Sequence, residues 1–234
     1  MPGTRPGMTA EVPLSQDLRI LVTGFGPFPG APFNPTMPLV GRIARLRRPA
    51  LDDVAIATHI FRVAYETVDR ELPQLLSMHR PHALLMFGLA TRTPWLRIET
   101  RARNAATAIW PDLDGVRMCK RSIAGTADAR AFGPHVVRLL RAAQATGIDA
   151  RASRDAGSYL CNYLCWRAIE ATRYQAGPRL AAFIHVPPLK RDGSAHVPGG
   201  ITLEYLIDAG EAMLLEVVKA ARQAGRAGPD SNSL

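Results

Sequence analysis

The sequence alternates short apolar segments with longer amphipathic segments, and this alternation restricts the possible folds more than any other feature. Strand-like runs, either apolar throughout or alternating, occupy residues 18–23, 54–63, 82–87, 148–153 and 180–186. Apolar residues recur at helical spacing over residues 36–48, 66–79, 131–146, 159–173 and 202–222. This order of strands and helices is typical of right-handed crossovers and a mostly parallel sheet. We therefore expect one α/β domain with three layers, in which helices cover both faces of an open, twisted, mostly parallel sheet.

The remaining segments define the limits of this domain. Residues 95–103 alternate and predict an outlying strand or one arm of a hairpin. Residues 1–17 and 225–234 are rich in Pro, Gly or Ser, which predicts flexible tails around a domain at 18–224. We expect no secretory signal peptide, since residues 1–17 lack an apolar core. We also expect no membrane span, since no run approaches the roughly 20 apolar residues that a bilayer requires.

The chain is strongly basic, with 29 Lys and Arg against 20 Asp and Glu and a formal net charge of +9. Only Lys120, Lys190 and Lys219 are lysines, so arginine carries most of the charge. Because arginine pairs and stacks well, we expect much of this charge to be used within the fold. Aromatic residues make up 6% and do not interleave with the basic ones, so nucleic-acid binding is not favoured. A basic binding module for anionic partners stays open as an alternative.

The three cysteines, Cys119, Cys161 and Cys165, indicate free thiols in a reducing compartment rather than a disulfide framework. Cys161 and Cys165 are four residues apart and could share a helix face. No second pair of ligands at metal-binding spacing accompanies them. We therefore predict no metal site, and nothing in the sequence calls for an organic cofactor.

The loop after the first strand, residues 24–30, lies where a phosphate-binding turn would be expected. Pro27 and Pro29 remove two backbone N–H donors, and a helix does not follow at once, so the loop does not suit a phosphate. A rigid apolar loop carrying Phe25 and Phe28 is better suited to hold a small uncharged ring. The alternative is that the two rings simply cap the core.

Two residues with nucleophilic or basic side chains lie at predicted element ends. Cys161 begins a helix after a glycine-containing turn, where the helix dipole would lower the pKa of its thiol and backbone N–H groups could hold an oxyanion. His185 ends an apolar strand before Pro187 and Pro188, at the sheet edge where ligands bind in such folds. Each residue alone has a structural alternative, an inert buried cysteine or a core histidine. Together they could form a thiolate–imidazolium pair.

These segments together resemble the pyroglutamyl peptidases (pyrrolidone-carboxylate peptidases), a family of cytosolic cysteine peptidases. The matching stretches follow the family's order and spacing and comprise residues 23–28, 34–35, 155–162 and 183–189. By motif match, the resemblance implies that Cys161 is the nucleophile and His185 the base. The family's third triad member begins a Glu-x-x-x-x-Asn pattern, which Glu99 and Asn104 match, so Glu99 is implied as that member.

The resemblance implies an exopeptidase that removes an N-terminal pyroglutamyl residue from peptides without a cofactor. Phe25 and Phe28 would then sandwich the lactam ring, and Leu89 would contact it through its backbone. A cytoplasmic location and assembly into a homo-oligomer, dimer or tetramer, are implied as well.

The resemblance weakens between residues 89 and 98. Family members commonly carry Gln after the first Gly, more glycine in the next loop, and Thr-Pro just before the glutamate. Here these places hold Leu89, residues 90–92, and Arg97-Ile98. A family member with altered acyl specificity, or a catalytically impaired one, is therefore the alternative function.

Overall fold

The computed structural model describes residues 18–125, 127–189 and 200–226. Its strands are β1 (Leu18–Phe25), β2 (Val54–Phe61), β3 (Ala83–Leu89), β4 (Leu96–Glu99), β5 (Arg101–Arg103), β6 (Ala129–Ala131), β7 (Ala150–Ser153) and β8 (Leu180–Val186). Its α-helices are α1 (Thr36–Ile43), α2 (Tyr65–His79), α3 (His135–Ala145), α4 (Leu160–Ala171) and α5 (Leu203–Arg226). The expected tail at 1–17 lies outside the described residues, as do residues 227–234 of the expected tail at 225–234.

The main sheet has six strands in the order β2-β1-β3-β8-β4-β7. Strands β2, β1, β3 and β8 are mutually parallel, β4 is antiparallel to β8, and β7 is parallel to β4. Strands β5 and β6 form a separate antiparallel pair. The prediction of a mostly parallel α/β sheet is therefore confirmed.

Helices cover the two faces of this sheet. Helices α1, α3 and α5 pack together on one face, and α2 and α4 contact each other on the opposite face. The central strands β3 and β8 are almost wholly buried, as their near-continuous apolar sequences require. Trp166 of α4 and the rings of Phe87 and Phe183 are among the largest fully buried side chains. The three-layer arrangement places the carboxyl ends of β1, β3 and β8 at one edge.

The 95–103 segment differs from its prediction as an outlying strand or hairpin arm. The chain forms β4 inside the main sheet and then leaves it at Thr100, whose N–H and hydroxyl both donate to the Ser153 carbonyl. The following β5 is the hairpin-like arm, paired with β6. Thus the segment belongs to two sheets, and its first half lies between β8 and β7 rather than outside.

Three helix boundaries also differ from the sequence pattern. Helix α3 begins only at His135, because Pro134 occupies its N-cap. Helix α1 ends at Ile43, where hydrogen bonds between residues three apart tighten the chain into a turn. Helix α5 continues to Arg226, past the expected domain boundary at 224.

Ion pairs and stacking use much of the arginine charge, as predicted. Two guanidinium groups stack on tryptophan rings, that of Arg130 on Trp166 at 4.1 Å and that of Arg151 on Trp95 at 3.9 Å. Arginine–carboxylate pairs include Arg48–Glu211, Arg62–Asp114, Arg70–Glu71, Arg97–Glu99, Arg103–Asp155, Arg130–Glu170, Arg151–Asp149, Arg167–Asp69 and Arg222–Asp53. Pairing leaves the net charge of +9 unchanged, so a basic module for anionic partners stays open as an alternative. None of the described helices is long and apolar enough to cross a membrane.

Candidate active site

A cleft of about 380 Å³ opens at the carboxyl ends of β1, β3 and β8, beside the start of α4. The sequence-predicted residues Phe25, Phe28, Leu89, Cys161 and His185 all line it. Its other lining residues are Asn34, Val63, Ala90, Thr91, Arg92, Thr93, Arg97, Asp155, Ala156, Gly157, Tyr159 and Leu160. A larger groove of about 670 Å³ lies between α2 and α4, but its described lining contains neither cysteine nor histidine. The smaller cleft therefore holds the candidate chemistry.

Glu99 and His185 form a buried hydrogen-bonded pair. In the antiparallel register, Arg97 of β4 lies opposite His185 of β8, so the two side chains lie on the same face of the sheet. Glu99 is two residues beyond Arg97 on β4 and therefore lies on that face as well. Glu99 is 0% exposed and His185 is 3% exposed. The Nδ1 atom of His185 lies 2.7 Å from Oε1 of Glu99. A carboxylate can only accept, so Nδ1 carries the proton and Nε2 is left as an acceptor.

The electrostatic surroundings favour an ionised Glu99 and a neutral His185. Burial acts to raise the pKa of Glu99, but the hydrogen bond from His185, together with the Arg97 guanidinium, holds that pKa below its usual value. Burial lowers the pKa of His185; Glu99 opposes this effect and Arg97 reinforces it, so the net pKa is lowered. The imidazole is therefore a free base at neutral pH.

Cys161 lies in the first turn of α4, and its thiol is partly exposed in the cleft. Burial, assisted by the negative charge of Glu99, raises the pKa of Cys161 to about 12. The expectation of a lowered thiol pKa is therefore wrong, because burial and Glu99 outweigh the Arg97 charge and the backbone N–H at the helix start, which act to lower it. With a pKa this far above neutral, the resting thiol is protonated. All three cysteines are free, as predicted.

A rigid turn leads into α4. Gly157 has a φ of +87°, a conformation that glycine adopts readily. The Asp155 carboxylate accepts a hydrogen bond from the Gly157 N–H at 2.9 Å and forms an ion pair with Arg103 at 2.9 Å. The first N–H groups of any helix have no partner within it, so those at the start of α4 are available beside the cleft. This arrangement can hold an oxyanion next to the Cys161 sulfur.

Hydrogen bonds from Asn34 and Thr36 hold the loop that carries Phe25 and Phe28. The Thr36 hydroxyl accepts the Phe25 N–H at 3.0 Å, and the Asn34 side chain donates to the Gly26 carbonyl at 3.0 Å. The Phe25 ring is 3% exposed, so it serves both the core and the cleft wall. The partly exposed Phe28 and Leu89 complete an apolar wall.

Some residues at the site were missed by the sequence analysis. Arg97 contacts both Glu99 and His185, and its two-residue spacing from Glu99 could have shown that these two side chains share a face of one strand. Tyr159 lines the cleft and donates its hydroxyl to the Pro111 carbonyl at 2.8 Å. A Cβ on Gly88 would meet Sγ of Cys161 at 2.8 Å, a proximity that no local pattern reveals.

Comparisons with known proteins agree with the resemblance seen in the motifs. The sequence model described as "Pyroglutamyl peptidase" matches residues 18–212. The pyrrolidone-carboxylate peptidase of Gloeobacter violaceus is 31% identical over 205 residues, covering 87% of this chain and 98% of that protein. The enzyme of the same name from Pyrococcus furiosus is 28% identical over 198 residues, covering 82% of this chain and 94% of that protein.

Solved structures show the same fold. The pyrrolidone carboxyl peptidase from Thermococcus litoralis superposes with a TM-score of 0.79 at 24% identity, covering 88% of this chain and 96% of that chain. The pyrrolidone carboxyl peptidase from Fervidobacterium islandicum superposes with a TM-score of 0.76 at 25% identity, covering 86% of this chain and 99% of that chain. Because the family model spans most of the domain and a relative above 30% identity is covered nearly from end to end, this chain belongs to the pyroglutamyl peptidase family.

Proposed function

We propose that this chain is a cysteine exopeptidase that hydrolyses the bond after an N-terminal pyroglutamyl residue, with Cys161, His185 and Glu99 as its catalytic triad. The observation that carries this proposal is the buried His185–Glu99 hydrogen bond in the wall of the cleft that also exposes the Cys161 thiol. The charge state fits the role, since a neutral imidazole held by a carboxylate can accept the thiol proton.

The reaction follows from these positions. Nε2 of His185 takes the proton of Cys161 as Sγ attacks the pyroglutamyl carbonyl, and Glu99 stabilises the imidazolium that forms. The N–H groups at the start of α4 hold the oxyanion. His185 then returns the proton to the leaving amine, which frees the shortened peptide and leaves a thioester on Cys161. A water molecule, deprotonated by His185, attacks the thioester carbonyl; the C–S bond breaks, pyroglutamate is released, and His185 returns the proton to Sγ of Cys161.

A high thiol pKa in the resting enzyme is compatible with this sequence of steps. Proton transfer to His185 and attack by sulfur can occur together once a substrate carbonyl excludes water from the cleft. Hydrogen bonds of catalytic groups are often long before substrate binds and shorten in the complex. The thiolate therefore need not accumulate in the free enzyme.

The apolar walls support recognition of a lactam ring. Phe25 and Phe28 on one side and Leu89 at the end of β3 enclose an uncharged five-membered ring, while backbone groups of the cleft meet its N–H and C=O. A cleft of this kind discriminates through its polar contacts, because a wrong substrate leaves a buried polar group unpaired.

A panel of fluorogenic amides tests the assignment. We expect turnover of the pyroglutamyl amide and rates at least ~100-fold lower for the prolyl, alanyl and leucyl amides, since these lack the lactam carbonyl. Prior treatment with a thiol alkylator should remove the activity. Preference for another acyl group would favour the alternative of altered specificity. That alternative is motivated by the departure from the family pattern at residues 89–92 and at Arg97-Ile98. The absence of turnover on every member would favour an impaired enzyme.

The close contact between Gly88 and Cys161 gives a second prediction. Gly88→Ala introduces a Cβ that meets Phe183 at 2.6 Å and Sγ of Cys161 at 2.8 Å, so we expect the sulfur to be displaced and kcat/KM to fall about 100-fold. The overpacking should also lower the free energy of unfolding by about 1–3 kcal/mol. Gly41→Ala is the matched control, since nothing lies within 4 Å of a Cβ there. Normal kinetics for Gly88→Ala would contradict the assigned position of the nucleophile.

Location and assembly stay predictions. The three free thiols support a reducing cytoplasm, and the family resemblance supports a homo-oligomer. Cell fractionation and light scattering of the purified protein would test them.

A further inference from the structure

Arg97 places a permanent positive charge inside the candidate triad. Its Nε and Nη2 atoms lie 3.1 Å and 2.9 Å from Oε1 of Glu99, the same oxygen that accepts from His185. Its Nη2 atom also lies 3.0 Å from Nδ1 of His185 and donates to the Asp155 carbonyl at 3.1 Å. The side chain is only 21% exposed, so solvent screens this charge weakly.

These contacts have two consequences for the pair. First, the Nε–H of Arg97 and the Nδ1–H of His185 both donate to one carboxylate oxygen, and Nη2 adds an ion-pair contact to it; together they hold Glu99 ionised and fix the direction in which it faces the imidazole. Second, Nη2 and a protonated Nδ1 are both donors, so their approach is repulsive and the repulsion increases when the imidazole becomes charged. Arg97 therefore supports the carboxylate while disfavouring the imidazolium.

The other groups around His185 act differently. Glu99 on β4 and Asp155 before α4 both favour the protonated imidazole, and Cys161 on α4 is a neutral thiol at rest. The Phe183 ring packs 5.0 Å from the imidazole and adds no charge. Among the described charged groups that influence His185, Arg97 is thus the one that opposes its protonation.

We propose that Arg97 is a positioning residue that orients Glu99 toward His185 and keeps the imidazole in its neutral, proton-accepting form at a lower pH than Glu99 alone would allow. The proposal rests on the proposed function for its kinetic meaning, but it concerns the charge state of His185 and can be tested without turnover. It also gives a role to a position at which this chain departs from the Thr-Pro that its family commonly carries.

The sign of the expected change follows from the charges. Without Arg97, Glu99 and Asp155 act unopposed, so the imidazole holds its proton to a higher pH. A protonated imidazole cannot accept the thiol proton, so kcat/KM falls at low pH. The midpoint of this fall therefore moves to higher pH together with the titration of His185. A unit charge in close contact shifts such a titration by about 1 pH unit or more.

The experiment compares Arg97→Thr and Arg97→Gln, which remove the charge, with Arg97→Lys, which keeps it. His185 is titrated by NMR of its imidazole in the folded, substrate-free protein, and the pH profile of kcat/KM is measured on the pyroglutamyl amide. We expect both midpoints to rise by about 1 unit or more in the first two variants and to stay near the wild-type value in the third. Two charge-removing variants are used so that misfolding of one leaves the other.

Arg151→Gln is the matched control. Arg151 lies beside Arg97 on the neighbouring strand β7, but its guanidinium pairs with Asp149 and stacks on Trp95, outside the triad. It should leave both midpoints unchanged. A His185 midpoint in Arg97→Thr and Arg97→Gln that stays within ~0.3 unit of wild type, or falls, would overturn the proposal. If the wild-type protein does not turn over the pyroglutamyl amide, the proposed function is contradicted. The NMR titration of His185 would still decide the role of Arg97.

Discussion

Cys161→Ala is expected to lower the kcat for a pyroglutamyl amide by a factor of about 10⁴ or more, because the variant has no atom that can form the thioester. The fold should be retained, since the side chain is small, lies in the first turn of α4 and is partly exposed. Steady-state kinetics of the purified variant, with circular dichroism to verify its fold, provide the measurement. Mass spectrometry after brief exposure to substrate should detect an acyl adduct on the wild-type protein and none on the variant.

Cys119→Ser is the matched control for this change. Cys119 is an exposed free thiol in the region between β5 and β6, so its loss should leave both kcat and KM at wild-type values. Cys165 is a poorer control, because its thiol is fully buried and its replacement would change packing. Retention of more than about one hundredth of the wild-type rate by Cys161→Ala would rule out the nucleophile assignment.

Glu99→Gln should lower kcat/KM by a factor of about 10²–10⁴. The amide cannot stabilise an imidazolium, and it can present an N–H to Nδ1 of His185. That contact favours the tautomer whose proton faces Cys161, so the imidazole can no longer accept the thiol proton. The change also leaves Arg97 without its carboxylate, and a nearly buried unpaired charge is destabilising. Kinetics and thermal unfolding of the same preparation measure the two effects.

A glutamate–arginine pair away from the cleft provides the comparison. Glu211→Gln breaks the pair between Glu211 of α5 and Arg48, which is largely exposed on the arginine side. Surface pairs of this kind contribute about 1 kcal/mol or less, so stability should change little and kinetics should not change. If Glu99→Gln leaves kcat/KM unchanged, as expected for Glu211→Gln, the buried Glu99 carboxylate has no catalytic role.

Most of the fold could be predicted because its signals are local. Buried parallel strands need continuous apolar runs, and residues 82–87 and 180–186 predicted β3 and β8 to within three residues. The pairing of the 95–103 segment could not be predicted in the same way, because an alternating pattern does not indicate which neighbouring strand it pairs with. The hydrogen bonds from Thr100 to Ser153 decide where the chain leaves the main sheet. Such pairing depends on residues more than fifty positions apart.

The candidate site was predictable to the extent that motifs carry it. The residues themselves indicate Cys161, His185, Phe25 and Phe28, the resemblance adds Leu89, and all five line one cleft. Glu99 was chosen by resemblance alone, and its contact with His185 results from the antiparallel register of β4 and β8. The effect of burial was judged wrongly for Cys161, whose pKa is raised to about 12 rather than lowered.

The sequence by itself determined the class of fold, the candidate nucleophile and base, and the apolar character of the cleft, because hydrophobic periodicity and short motifs are properties of neighbouring residues. Only the tertiary structure decided that β4 runs antiparallel beside β8, and therefore that an arginine lies against both Glu99 and His185. Charge states in a cleft depend on distances across strands and on exclusion of water. Both quantities exist only after the chain has folded.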